Sequence, residues 1–187
     1  MSFFVEVGTC DFDTCERLIK NDWSGIVIEP VKYYYNKLPK YPNIKYENIA
    51  ISDEKGESEI HFINPEYIKN KDEKWLKGIS SLKSETGPLS IKSNVKYKHF
   101  QNILKENVET DTLQNICDKY NVTNIDYLKI DTEGHDLIVL KSLNLDKVNV
   151  KMIKIEHKHL NECEIIEYLK KYNYLIYTEK EDIYAIK

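Results

Sequence analysis

Along the whole of this 187-residue chain short apolar runs alternate with amphipathic stretches, and no other feature narrows the fold as much. Phe3-Phe4-Val5-Glu6-Val7 reads as a strand ended by Gly8. Residues 13–21 follow as a helix, with Asp11 or Asp13 available to cap it. Gly25-Ile26-Val27-Ile28-Glu29 is a second strand, after which Pro30 opens a helix at a position where its missing N–H costs nothing. Residues 44–51 give a third strand, and 58–63 a short added one. Helices at 109–120, 135–142 and 161–172 interleave with strands at 125–130 and 148–156, and 174–178 with 182–186 close the chain as a hairpin around Lys180-Glu181. Strands separated by helices build βαβ units. The expectation is an α/β domain over residues 1–187, its mostly parallel sheet covered on both faces, with an antiparallel C-terminal hairpin at the edge.

Residues 64–108 break the rhythm, with Pro65, Gly78, Gly87 and Pro88 scattered through them. An irregular stretch of that length inside a compact domain is usually functional or disordered. Between positions 64 and 105 nine lysines stand against four acids, a surplus of five positive charges in a chain whose net charge is −4. The segment reads either as a solvated face or as a basic lid over a polar or anionic substrate. Arg17 is the only arginine among 27 basic residues, so an anion would be met by lysines, backbone N–H groups or helix termini. The overall negative charge argues against a generic nucleic-acid binder. No apolar run has the length of a membrane span and no secretory leader is recognisable, so a cytoplasmic protein away from membranes is expected. Cys10, Cys15, Cys117 and Cys163 lack zinc-site spacing and are expected to be reduced thiols.

Open parallel sheets bind ligands beyond the carboxyl ends of their strands, where the winding reverses. The turn Glu6-Val7-Gly8-Thr9-Cys10-Asp11 lies there, with Gly8 permitting close backbone approach. It holds one glycine, so a pyrophosphate-cradling G-x-G-x-x-G is absent and a dinucleotide is disfavoured. Glu29 ends the second strand and could accept both hydroxyls of a ribose, or be no more than an acid favoured by a helix start. A nucleoside cofactor without a pyrophosphate, such as S-adenosylmethionine, meets these constraints.

The chain resembles the FkbM-type family of class I S-adenosylmethionine-dependent methyltransferases. The resemblance is carried by Val5-Glu6-Val7-Gly8-Thr9, Ile26-Val27-Ile28-Glu29-Pro30, Asn48-Ile49-Ala50-Ile51-Ser52-Asp53 and Gly78-Ile79-Ser80-Ser81-Leu82, followed by Asp126-Tyr127-Leu128-Lys129-Ile130-Asp131-Thr132-Glu133-Gly134 and Ile153-Lys154-Ile155-Glu156-His157. It implies a Rossmann-like, seven-stranded sheet and methyl transfer to a hydroxyl of a sugar, glycan, polyketide or similar small polar acceptor. It further implies that Glu6, Gly8 and Thr9, with Asp11 in the same loop, line the methionine end of the cofactor. Glu29 would hold the ribose, and Asn48, Ile49 and Ala50 would border the adenine. Acceptor recognition would fall to the 64–108 insertion, including Ser80, Ser81 and Lys83. The chain departs from the family at Cys10 and Phe12, and it begins at the first strand; a homodimer is one way for the rim to be covered, and the sequence leaves the oligomeric state open.

Methyl transfer to an alcohol is an in-line displacement that needs the nucleophile aligned and its proton removed. Asp131 ends the 125–130 strand beside the expected methyl position. It can act as base alone or with Glu133 or His135, whose imidazole titrates in the useful range. Asp131, Glu156 and His157, at the ends of adjacent strands, could instead hold Mg2+ or another divalent cation. Gly134 reads as a close-approach residue, and His61, His99 and His159 as surface residues without a role. Two other readings stand beside the small-acceptor enzyme. Tyr97, His99 and Phe100 among lysines would suit a ribose 2′-O RNA methyltransferase, and loss of chemistry would leave a non-catalytic binding module.

Overall fold

The structure is a computed structural model, and it describes residues 2–11, 15–82, 89 and 102–187. Its frame is a seven-stranded sheet built from β1 (Phe3–Val7), β2 (Ser24–Ile28), β3 (Ile44–Glu47), β7 (Asn124–Ile130), β8 (Asn149–Glu156), β9 (Leu175–Glu179) and β10 (Asp182–Ile186). They lie in the order β3-β2-β1-β7-β8-β10-β9. The first five run parallel, and β10 and β9 add the antiparallel hairpin expected at the edge. Strand order reverses between β1 and β7, which makes their carboxyl ends the switch point of the sheet.

Because side chains alternate along a strand, each strand feeds two different cores. Val5, Val7, Ile26, Ile28, Leu128, Ile130, Ile153 and Ile155 belong to the larger one. Three helices close it: α3 (Leu113–Lys119), α4 (Asp136–Lys141) and α5 (Glu162–Lys170) contribute Leu113, Ile116, Val139, Leu140, Ile165 and Leu169. On the opposite face Phe4 and Val27 pack with Cys15, Leu38 and Ile44, joined by Leu18 and Ile19 of α1 (Glu16–Ile19). Thr112 and Asn161 start α3 and α5 by accepting hydrogen bonds from Asn115 N and Cys163 N. The expected 13–21 helix is realised as α1 alone among the described residues, and Asp13 lies outside them.

Three expectations need correction, two of them in the middle of the chain. Residues 44–51 are not one strand. The chain leaves the main sheet at Asn48, whose amide nitrogen donates to the carbonyls of Glu29 and Pro30 (both 2.8 Å), and β4 (Ala50–Ile51) then joins a second sheet. That sheet has the order β4-β6-β5, with β5 (Gly56–Ile63) and β6 (Ile103–Asp111) antiparallel. The 109–120 helix is therefore shorter than expected, and 103–108 is strand and not loop. The acidic residues Glu106, Glu109 and Asp111 resemble a helix start, but Val108 and Thr110 alternate with them toward the interior. Between the sheets Tyr34 of α2 (Lys32–Tyr35) packs with Cys10, Val31, Ala50, Ile60, Phe62 and Val108. Pro30 precedes α2 by two residues instead of opening it, and Val31 is its N-cap. The insertion has a small core of its own, made by Ile63, Leu76, Ile79 and Leu89.

No described helix is long and apolar enough to cross a membrane. All four cysteines carry free thiols, with Cys163 exposed and the others buried.

Gly8 holds the central pair of strands at its distance. It adopts φ 81°, and a Cβ there would lie 1.9 Å from the Asp131 carbonyl oxygen, while Gly8 N donates to Ile28 O and Asp131 N to Val7 O. Gly8→Ala should cost about 3 kcal/mol through overlap and left-handed strain, read as a lower urea midpoint at unchanged slope. Gly56→Ala, whose Cβ would meet only Thr110 Oγ1 at 3.7 Å, should stay near the parent.

Candidate active site

A cavity opens at the switch point. Gly8 and Cys10 after β1, Glu29 and Pro30 after β2, and Asp131 and Thr132 after β7 form its rim, with Ile49, Ala50 and Ile51 as an apolar wall. Glu29 is 3% exposed and anchored at both oxygens: Oε2 accepts from Cys10 N (2.6 Å) and Oε1 from Val31 N (2.8 Å). Burial raises its carboxyl pKa to about 7 against the opposing effect of those two donors, with Asp11 and Glu6 adding like charge. Cys10 reaches this position with a left-handed backbone, φ 54°, and burial pushes its thiol pKa strongly upward, so it is no nucleophile.

The other first-loop residues are placed differently from what the resemblance implies. Glu6 points to the α1 side of the sheet, the face opposite Val7, and borders a separate recess with Thr9, Cys15 and Glu16. There it meets Lys129, whose Nζ lies 3.2 Å from Glu6 Oε1 and 3.2 Å from Asp131 Oδ2. Burial opposes the charge of Lys129, but the two carboxylates outweigh it and drive its pKa up. Asp131 is thus held from behind while 37% of its side chain stays exposed. Asp11 is likewise drawn away from the cavity, into an ion pair with Lys77 at 2.8 Å.

The loop after β7 is shaped by Asp136. Its two oxygens accept from Thr132 N (2.7 Å) and Gly134 N (3.0 Å), which lets Glu133 and Gly134 take positive φ angles of 53° and 98°. Burial raises the Asp136 pKa to about 6, partly countered by the same donors. His135 lines the cavity and its Nε2 is 3.1 Å from Ser52 Oγ.

The insertion closes the remaining side. Gly78, Ser80 and Leu82 line the cavity, and Ser81 pairs with His61 in a short antiparallel bridge. Of the expected acceptor residues, Ser80 is at the wall and donates to Lys77 O at 3.4 Å. Ser81 is buried, and its hydroxyl donates to Glu133 O at 3.0 Å, tying the insertion to the β7 loop. Lys83 lies outside the described residues, as do Tyr97, His99 and Phe100. Asn48 shapes the β2 loop from behind, while Ile49 and Ala50 reach the cavity.

The expected trio of Asp131, Glu156 and His157 does not converge. Among the described residues the group whose ligand atoms come together is Glu133, Glu156 and His159, all within 4.8 Å of one another. The reason lies in the backbone. Glu156 and His157 are successive residues with opposite directions, His157 N still follows the sheet by donating to Glu181 O, and a turn closed by Leu160 N on His157 O returns position 159 instead. Burial, with like charge from Glu133, Asp131 and Asp136, raises the Glu156 pKa to about 9. His159 therefore has a place at the site, and His61 is buried beside Glu59 at 2.7 Å; neither is the idle surface residue expected. Lys129, Asp136, Lys77 and His159 carry no motif of their own. Lys129 could have been suspected as a cation inside an otherwise apolar strand.

No curated protein and no solved structure matches the chain. The family model of the methyltransferase FkbM domain matches residues 6–176. That span takes in both walls of the cavity, the Glu29 anchor, the Asp131 loop and the strands that carry them, and the chain belongs to the FkbM methyltransferase domain family.

Proposed function

We propose that this chain is an S-adenosylmethionine-dependent O-methyltransferase acting on a hydroxyl of a sugar, glycan or similar small polar acceptor. The observation that carries the reading is the Glu29 carboxylate on a largely apolar cavity at the switch point. Each of its oxygens takes one backbone N–H and keeps a lone pair, so a ribose diol can be accepted without displacing either anchor. Ile49, Ala50 and Ile51 offer an apolar wall suited to a purine. When bound, S-adenosylmethionine supplies a sulfonium-activated methyl group. Asp131, on the opposite rim and half-exposed, takes the proton of the attacking hydroxyl, with Lys129 fixing its orientation. His135 and Glu133 flank it. Gly78, Ser80 and Leu82 border the acceptor side, where the Ser80 hydroxyl can meet a hydroxyl of the ligand.

Calorimetry with S-adenosylmethionine should show one site, and Glu29→Ala should weaken it roughly 30–100-fold, the equivalent of about 2–3 kcal/mol. Absence of binding to the parent would sink the reading. Asp131→Asn should keep cofactor affinity within a few-fold while transfer of labelled methyl to sugar or nucleotide-sugar acceptors drops about 10²–10⁴-fold. A drop in affinity alone would make Asp131 a binding residue.

The charge on Glu29 has a pH signature. Glu29 and Asp136 have folded pKa values of about 7 and about 6, above their ordinary 4.5 and 3.8, so the folded state binds more protons and loses stability as pH rises through that window. The melting temperature of the ligand-free protein should fall by roughly 3–8 °C between pH 5.5 and 8. Glu29→Gln should reduce the slope by Glu29's share and leave those of Asp136 and of Glu156, whose carboxyl is raised in the same direction; a melting temperature that climbs across the window contradicts the assignment.

A further inference from the structure

Three donor atoms meet beyond the carboxyl ends of β7 and β8 without a hydrogen-bond partner among the described residues. Glu133 Oε2, Glu156 Oε2 and His159 Nε2 are each shut off from solvent and make no hydrogen bond. Glu133, only 9% exposed, is the most deeply placed. His159 Nε2 approaches Glu133 Oε2 to 3.2 Å, an ion-pair distance, but the approach lacks hydrogen-bond geometry. Buried oxygen and nitrogen acceptors are ordinarily satisfied, so three orphaned atoms from three residues at one point call for a shared partner. The nearest lysine on the same turn, Lys158, is committed to Glu181 at 3.0 Å.

We infer that Glu133, Glu156 and His159 form a binding site for a divalent cation. All three atoms lie within 4.8 Å of one another, and ligands around a cation at about 2.0–2.2 Å are separated by roughly 3–4 Å, so small side-chain rotations complete the contact. One imidazole with two carboxylates is the ligand chemistry of Mn2+, Fe2+ or Zn2+ more than of Ca2+, which takes six to eight oxygens. Three protein ligands leave coordination positions open, as in catalytic sites and unlike closed structural ones. Two features position the ligands. Asp136 pins the backbone on both sides of Glu133, and Ser81 of the insertion holds the Glu133 carbonyl. The site is two residues beyond Asp131. A role for the cation in orienting an acceptor oxygen rests on the methyl-transfer reading above, whereas cation binding itself does not.

The test uses the full chain, stripped with chelator and desalted, titrated with MnCl2 and separately with ZnCl2 by calorimetry, with electron paramagnetic resonance counting free Mn2+. One saturable site is expected, weakened at least 10-fold in Glu156→Gln and in His159→Gln, with circular dichroism and S-adenosylmethionine binding reporting on folding in each sample. Lack of saturable binding of either metal to the parent overturns the inference, and so does parental affinity in both variants. If the parent binds S-adenosylmethionine but no metal, the cation site falls and the methyltransferase reading stands. If it binds metal but no S-adenosylmethionine, the cation site stands and the methyltransferase reading falls.

Discussion

Lys129 sits in the central strand pair with almost no access to water, and the carboxylates of Glu6 and Asp131 are what make that position tolerable. Moving an ammonium out of water costs several kcal/mol, and a close pair of counter-charges offsets it only while both are in place. The charge balance of the sheet centre and the position of the proposed base are therefore one problem. Glu6 on β1 and Asp131 after β7 share a cation, and Gly8 lets the two chains approach until a methyl group would strike the Asp131 carbonyl. Asp136 then fixes the following loop through two backbone donors, so the path from Asp131 to His135 leans on Glu6, Lys129 and Asp136, none of which lines the cavity.

Two sheets and one insertion meet around the cavity, and they are joined by different kinds of contact. The main sheet contributes its rim through backbone hydrogen bonds to Glu29. The second sheet contributes an apolar wall through β4, and the insertion a side made by Gly78, Ser80 and Leu82. The insertion and first loop are linked by the Cys10 thiol on Lys77 O at 3.4 Å and by Lys77 with Asp11, a partly exposed pair of the sort worth about 0–1 kcal/mol.

The frame of the fold was legible because its signals are periodic: β1 and β2 are short, largely apolar runs, and β7 and β8 alternate apolar with polar residues as strands do. β6 was not. Its residues alternate as a strand, but its charge resembles a helix start, and only pairing with β5 decides the matter. Of the site, Glu29 and Asp131 could be found because a strand end followed by a polar residue is a local pattern. Glu6, Thr9 and Asp11 belong to the same loop and face elsewhere, because the direction of a side chain in a tight turn depends on what it meets. His159 replaced His157 for a similar reason. The turn after β8 is closed by hydrogen bonds no spacing rule records.

The second sheet has one more property. Ile63 at the end of β5 lies directly opposite Ile103 at the start of β6, and Asn64 N donates to Asn102 O at 2.8 Å. The insertion therefore leaves and re-enters the domain at a single doorway, like a hairpin loop grown long. Since doubling such a loop adds only about 0.6 kcal/mol of closure entropy, its length can change while the doorway and both sheets stay as they are. The doorway thus sets the pairing of the second sheet independently of how far the chain travels beyond it.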